Sequence, residues 1–174
     1  PAIGVVGEIY LKYNSFGQNN IVNWLINERI EVIVPSLLDF AMQTFVNRKV
    51  NRQENIERSK LIELMPFVLK LFADNYITQF EQIKSQFRFY RHNRTIFSKA
   101  ELASEIVDLA NQYGEGWLIH GEMSSFAKEG INYVISLQPF GCIANQIISK
   151  GIERKVKMLY PDMNLMYLDF DSGT

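Results

Sequence analysis

The sequence predicts an α/β fold of three layers: a short, mostly parallel four-stranded sheet with a helical insertion after strand two. Three observations predict it. Short β-rich apolar runs alternate with segments of helical period, in the order β-α-β, helical block, β-α-β. The first strand–helix–strand unit has the length of a parallel crossover. The 174 residues suit about one core, a single domain over 1–174 with the insertion at about 47–113.

Each element has a local reason. Ile3-Gly-Val-Val-Gly-Glu-Ile-Tyr-Leu11 is β-rich and reads as one buried strand. Asn14-Ser-Phe-Gly-Gln-Asn-Asn20 is a turn cluster rich in N-cap residues, so Ile21 to Arg29 reads as a short helix. Glu31-Val-Ile-Val34 is a second strand, closed by Pro35. In the block that follows, Leu61, Leu64, Met65, Val68, Leu71 and Phe72 recur at helical spacing, and Pro66 should kink or restart the helix. Tyr76, Phe80, Ile83, Phe87 and Tyr90 continue that spacing, and the block from Asn55 to Tyr113 is expected to be helical throughout, with a break near Pro66 or Asp74. Ser98-Lys-Ala-Glu101 reads as a capping box opening a further helix, with Gly114 as its stop. A helix is expected from Glu115 to Glu129, a strand at Ile131–Leu137, helices at Ile143–Lys150 and Glu153–Tyr160, and a last strand at Leu165–Phe170.

Composition excludes several classes of function. Eighteen Lys+Arg against 19 Asp+Glu leave a net charge of −1, which disfavours a basic nucleic-acid binder. Apolar residues at 47% and charged residues at 21% argue against disorder. No apolar run reaches the ~20 residues needed to span a bilayer. No basic segment precedes the first strand, and both ends read as cut, so a fragment of a longer cytoplasmic protein is expected. The single cysteine, Cys142, fits a reducing compartment and excludes a disulfide framework, a zinc ribbon or a complete iron–sulfur ligand set within the chain.

Ligands of parallel sheets gather beyond the carboxyl ends of the strands. The loops expected there carry Asn14, Ser15, Gln18, Asn19, Ser36, Gln138 and Cys142. Of these, Asn14, Ser36 and Gln138 are the ligand-edge candidates. Cys142 stands at an expected helix N-terminus, where backbone N–H groups favour thiolate, the form that binds metal or attacks an electrophile. Its alternative is a small packed hydrophobe. No glycine-rich phosphate loop or Walker sequence is present, so no ATP binding is expected. His92 and His120 have no ligand or catalytic partner at useful spacing. Leu168-Asp-Phe-Asp-Ser-Gly-Thr174 resembles the Asp-x-Asp opening of haloacid-dehalogenase-type phosphatases and the phosphate loop of actin-like ATPases. Both families place that motif after their first strand, whereas here it closes the sequence, so a stand-alone phosphatase using Asp169 is disfavoured.

Four separated segments carry a wider resemblance: Val6-Gly-Glu-Ile-Tyr-Leu-Lys-Tyr-Asn14, Gly114-Glu-Gly-Trp-Leu118, Gln138-Pro-Phe-Gly-Cys-Ile-Ala-Asn-Gln146, and Tyr160-Pro-Asp-Met-Asn164 with Leu168-Asp-Phe-Asp171. Together they resemble the C-terminal region of large acyl-CoA dehydratase activase-related proteins, relatives of the 2-hydroxyglutaryl-CoA dehydratase components and their activators. The resemblance is weakest from Asn47 to Ser98. It implies a dehydratase-like domain beside ATP-driven, iron–sulfur-dependent dehydration of 2-hydroxyacyl-CoA thioesters, inactive alone. It also implies upstream ATPase modules or a dehydratase partner, an acyl-CoA substrate, and in the intact protein a [4Fe-4S] cluster to which Cys142 gives one ligand. The alternative is a regulatory or protein-interaction module with no cluster.

Overall fold

A computed structural model describes residues 1–56, 75–88, 90–91 and 93–171. Its four strands are β1 (Ala2–Gly7), β2 (Glu31–Ile33), β3 (Tyr133–Pro139) and β4 (Asn164–Phe170). They form one sheet in the order β2-β1-β3-β4. Every pairing is parallel, with Gly4 beside both Ile33 and Val134, and Ser136 beside Tyr167.

The helices are α1 (Ile9–Tyr13), α2 (Ile21–Asn27), α3 (Leu37–Gln53), α4 (Ile96–Ser104), α5 (Gly116–Lys128) and α6 (Glu153–Leu159). Residues 75–84 are also helical. Alternation along the strands sorts the core into layers. On one face Val5, Ile135 and Leu137 pack with Leu11 of α1 and Leu25 of α2. On the other, Val6 and Val134 pack with Ile119, Met123 and Phe126 of α5 and Val156 of α6. A further cluster joins Met42, Val46 and Val50 of α3 to Ala100 and Ala103 of α4 and to Trp117 and Leu118 on α5.

Several boundaries depart from the sequence expectation. The first strand does not run to Leu11. It ends at Gly7, whose φ of +110° turns the chain, and Glu8 then caps α1 by accepting from the Leu11 amide at 2.9 Å. The cap of α4 is Thr95, whose hydroxyl accepts from the Ser98 amide, so Ser98 lies inside the helix. That helix stops at Ser104, and Ile106 and Val107 are buried in the turn that follows. The insertion is therefore not helical throughout: turns and irregular chain occupy 85–88, 90–91, 93–95 and 105–115, and no strand occurs in the block among the described residues. Pro66 and Asp74 lie outside the described residues. The helix expected from Ile143 begins as a π-helical turn, Ala144–Ser149, and tightens to a 3₁₀ turn at Lys150–Ile152. Among the described residues no helix is long and apolar enough to cross a membrane.

Candidate functional site at the carboxyl edge of the sheet

β1 and β3 deliver their carboxyl ends side by side. Gly7 lies against β3 so closely that a Cβ there would sit 2.0 Å from the Leu137 carbonyl oxygen. The Glu8 amide donates to that same carbonyl at 2.9 Å. Only glycine combines the positive φ with this approach. The chain then enters α1, and the Ile9 amide donates to the Glu115 carboxylate at 2.6 Å. Glu115 is buried. Burial raises its carboxyl above the ordinary range and the nearby Glu8 charge adds to this, against the Ile9 amide and the Lys12 charge. Gly116 opens α5 with φ of +34°, and a Cβ there would sit 2.1 Å from the Asn111 carbonyl oxygen.

The β3 exit holds the second half of the site. Gln138 is fully buried and donates to Asp169 Oδ1 at 2.8 Å. Gln146 donates to the same oxygen, and Lys150 stands 3.9 Å from Oδ2. Gln138 Oε1 is buried without a hydrogen-bond partner among the described residues. Cys142 follows, half-buried and unpaired by any disulfide, at the carboxyl edge and two residues before the π-helical turn. Its sulfur accepts from the Asn145 side-chain amide at 3.2 Å, while Asn145 Oδ1 is buried without a partner among the described residues. π-Helical turns are uncommon and concentrate at functional sites.

The other expected residues take structural posts. Asn14 Oδ1 accepts from the Phe16 and Gly17 amides, closing its own turn. Ser36 caps α3 through the Leu38 amide. No hydrogen bond joins either residue to Cys142 among the described residues. Gln18 ties α1 to α2 by donating to the Lys12 carbonyl at 3.5 Å and accepting from the Val22 amide. Asp169, the nucleophile of the phosphatase reading, has both oxygens facing donors of this chain.

Sequence reasoning missed a buried charge network beside this edge. Lys12 reaches both oxygens of Glu122 at 3.0 and 3.1 Å. Lys99 reaches Asp39 at 2.6 Å and Asn93 at 3.0 Å. Burial raises the Glu122 carboxyl above its ordinary range against the pull of Lys12 and Lys99. Burial likewise raises the Tyr13 hydroxyl, with Glu122 and Asp39 adding to it, and that hydroxyl donates to the Pro35 carbonyl at 2.6 Å. The available signal was the period: Lys12, Lys99 and Glu122 each sit on the apolar side of a helix, where an ordinary surface charge does not belong.

This ligand set does not fit a [4Fe-4S] cluster by itself. Such a cluster takes about four thiolates. Cys142 is the sequence's one cysteine, and among the described residues no group of three or more His, Cys, Asp or Glu side chains is placed to hold a metal. No family model, curated protein or solved structure matches the chain.

Proposed function

We propose that this α/β domain serves a protein linked to iron–sulfur-dependent dehydration of 2-hydroxyacyl-CoA thioesters, as an accessory part without independent catalysis. One observation carries the reading. Parts of the four segments that resemble dehydratase activase-related proteins come together near the carboxyl edge of the sheet, while Tyr160–Asn164 lies at the opposite edge, where Asn164 pairs with Tyr133. Gly7 and Glu8 touch Leu137, which directly precedes the third segment, Ile9 bonds Glu115, and Gln138 and Gln146 bond Asp169. Motif residues that assemble in space at the ligand edge of a parallel sheet point to a shared task.

In this proposal Cys142 presents one half-exposed sulfur at that edge, oriented by Asn145. A [4Fe-4S] cluster enters only at the level of the intact protein, with its other ligands from further segments or a partner carrying ATPase or dehydratase modules. The protein works in the cytoplasm. The test is iron analysis and dehydratase-linked activity of the complete gene product, purified anaerobically, with and without Cys142→Ser. Lower iron or activity with an unchanged circular dichroism spectrum supports the proposal. Unchanged iron and activity would leave a regulatory or interaction module in which Cys142 packs.

A further inference from the structure

A cavity of about 1300 Å³ lies away from Cys142, along the open side of the edge strand β2. Its walls come from β2 and the Val34–Ser36 exit, the first turns of α3, helical residues 75–84, residues 87–88, 90–91 and 93–95, α4 and one face of α5. Aromatic side chains dominate one side. Tyr76, Phe80 and Phe87 line it while remaining 69%, 62% and 68% exposed. Large apolar groups held in water around a concavity mark a surface that gains free energy when covered.

The charges of the lining restrict what covers it. Arg91 holds Glu31 through bonds of 3.1 and 3.2 Å, Lys84 holds Glu81 at 2.7 Å, and Arg94 stands 3.9 Å from Glu129. Deeper, Lys99 is 3% exposed and faces Asp39 at 2.6 Å. A charged ligand entering here would be desolvated among ion pairs already formed. A neutral ligand avoids that cost. Among the described residues two donors remain for it: Lys99 spends two of its three N–H groups, on Asp39 and Asn93, and Arg94 Nε has no hydrogen-bond partner, Lys99 being the more buried of the two at 3% exposure against 34%.

We infer that this cavity binds an uncharged apolar molecule with a hydrogen-bond-accepting carbonyl, the class of acyl esters, seated with its chain against Tyr76, Phe80 and Phe87 and its carbonyl toward Lys99. The inference is independent of the dehydration proposal and of Cys142. Its test is displacement of the neutral fluorophore N-phenyl-1-naphthylamine from the whole protein by four competitors of eight or nine carbons: methyl octanoate, octanoate, octylammonium and nonane. Methyl octanoate should compete best, with octanoate and octylammonium weaker by at least about tenfold, since each buries an uncompensated charge. Phe80→Asp and Phe87→Asp, at exposed positions that folding tolerates, should weaken the ester by a similar factor, whereas Tyr113→Asp, outside the cavity, should not. Failure of the fluorophore to bind, an octanoate or octylammonium affinity equal to the ester's, or aspartate variants without effect would overturn the inference. Nonane competing as well as the ester would remove Lys99 from it and overturn the carbonyl assignment.

Discussion

The Lys12 ammonium and the Glu122 carboxylate meet at 3.0 and 3.1 Å inside the protein, 110 positions apart in the sequence. Their side chains are 2% and 1% exposed. Lys12 belongs to α1, which packs at the carboxyl edge of the sheet, and Glu122, on α5, lines the cavity beside β2. The pair therefore ties the motif-bearing edge to the cavity wall. Both charges have lost their water, so each depends on the other.

Removing one partner should cost far more than removing both. Lys12→Met leaves a buried carboxylate alone, and a loss of ~3–5 kcal/mol is expected, whereas replacing a whole buried pair by apolar groups is often nearly neutral. Urea denaturation of Lys12→Met, Glu122→Met and the double variant measures this. The double variant should recover most of the loss. If it were as unstable as the worse single variant, packing rather than charge would explain the pair.

Gly7→Ala should be among the most damaging single changes in the sheet. The new Cβ would stand 2.0 Å from the Leu137 carbonyl oxygen at a φ of +110°. Backbone strain alone is worth about 1–3 kcal/mol, and separating β1 from β3 adds to it. A loss above about 3 kcal/mol is expected. The comparison is Gly130→Ala, also at positive φ but with nothing within 4 Å of the new Cβ. Equal unfolding midpoints for the two variants would contradict the close approach.

The strand–helix order was legible because apolar runs bounded by turn residues constrain a parallel sheet strongly. The position of Cys142 was legible for the same reason: Pro139-Phe-Gly141 is too short to carry the thiol away from the strand end. The end of β1 was not. Ile9, Tyr10 and Leu11 have strand character, and only the cap made by Glu8 together with the bond from Ile9 to Glu115, 106 residues away, turns them into a helix. Thr95 displaced Ser98 as the cap of α4 because either hydroxyl satisfies the local rule, and the tertiary anchoring of Lys99 to Asp39 fits the earlier start. Partners distant in sequence, such as Lys12 with Glu122, leave no local pattern beyond a charge in an apolar stripe.

Asp169 should matter to stability through Gln138. The buried Gln138 amide donates to Asp169 Oδ1, and its own Oε1 already lacks a partner. Asp169→Ala strands a second buried polar atom, at a cost of about 1–3 kcal/mol. Asp169→Asn keeps an acceptor oxygen and should cost less. Thermal unfolding of the two variants decides it, and equal midpoints would show that water replaces the carboxylate. A magnesium-dependent phosphatase assay on the native protein should read background, because the carboxylate is held by Gln138, Gln146 and Lys150.

His120 sets an acid limit on stability. It is fully buried on α5, and neither ring nitrogen makes a hydrogen bond of good geometry among the described residues. Burial lowers its pKa from 6.5 to about 4, with Lys155 adding to the effect and the Ser149 backbone opposing it. The folded state thus binds the imidazole proton more weakly than the unfolded chain does. Between these two values the unfolded chain holds more protons, so stability falls as pH falls. His120 costs nothing in this respect above about pH 6.5, and the loss approaches about 3 kcal/mol as pH nears 4, at about 1.4 kcal/mol per unit. Glu115 and Glu122, both raised by burial, act with the opposite sign, each gaining relative stability on acidification. Their contribution cancels when the native protein is compared with His120→Leu at each pH. The native protein should lose stability relative to that variant as the pH is taken from 7 to 4, by urea denaturation. A difference that stays constant over this range would mean that the imidazole finds a proton acceptor or water on protonation, and that the acid limit lies elsewhere.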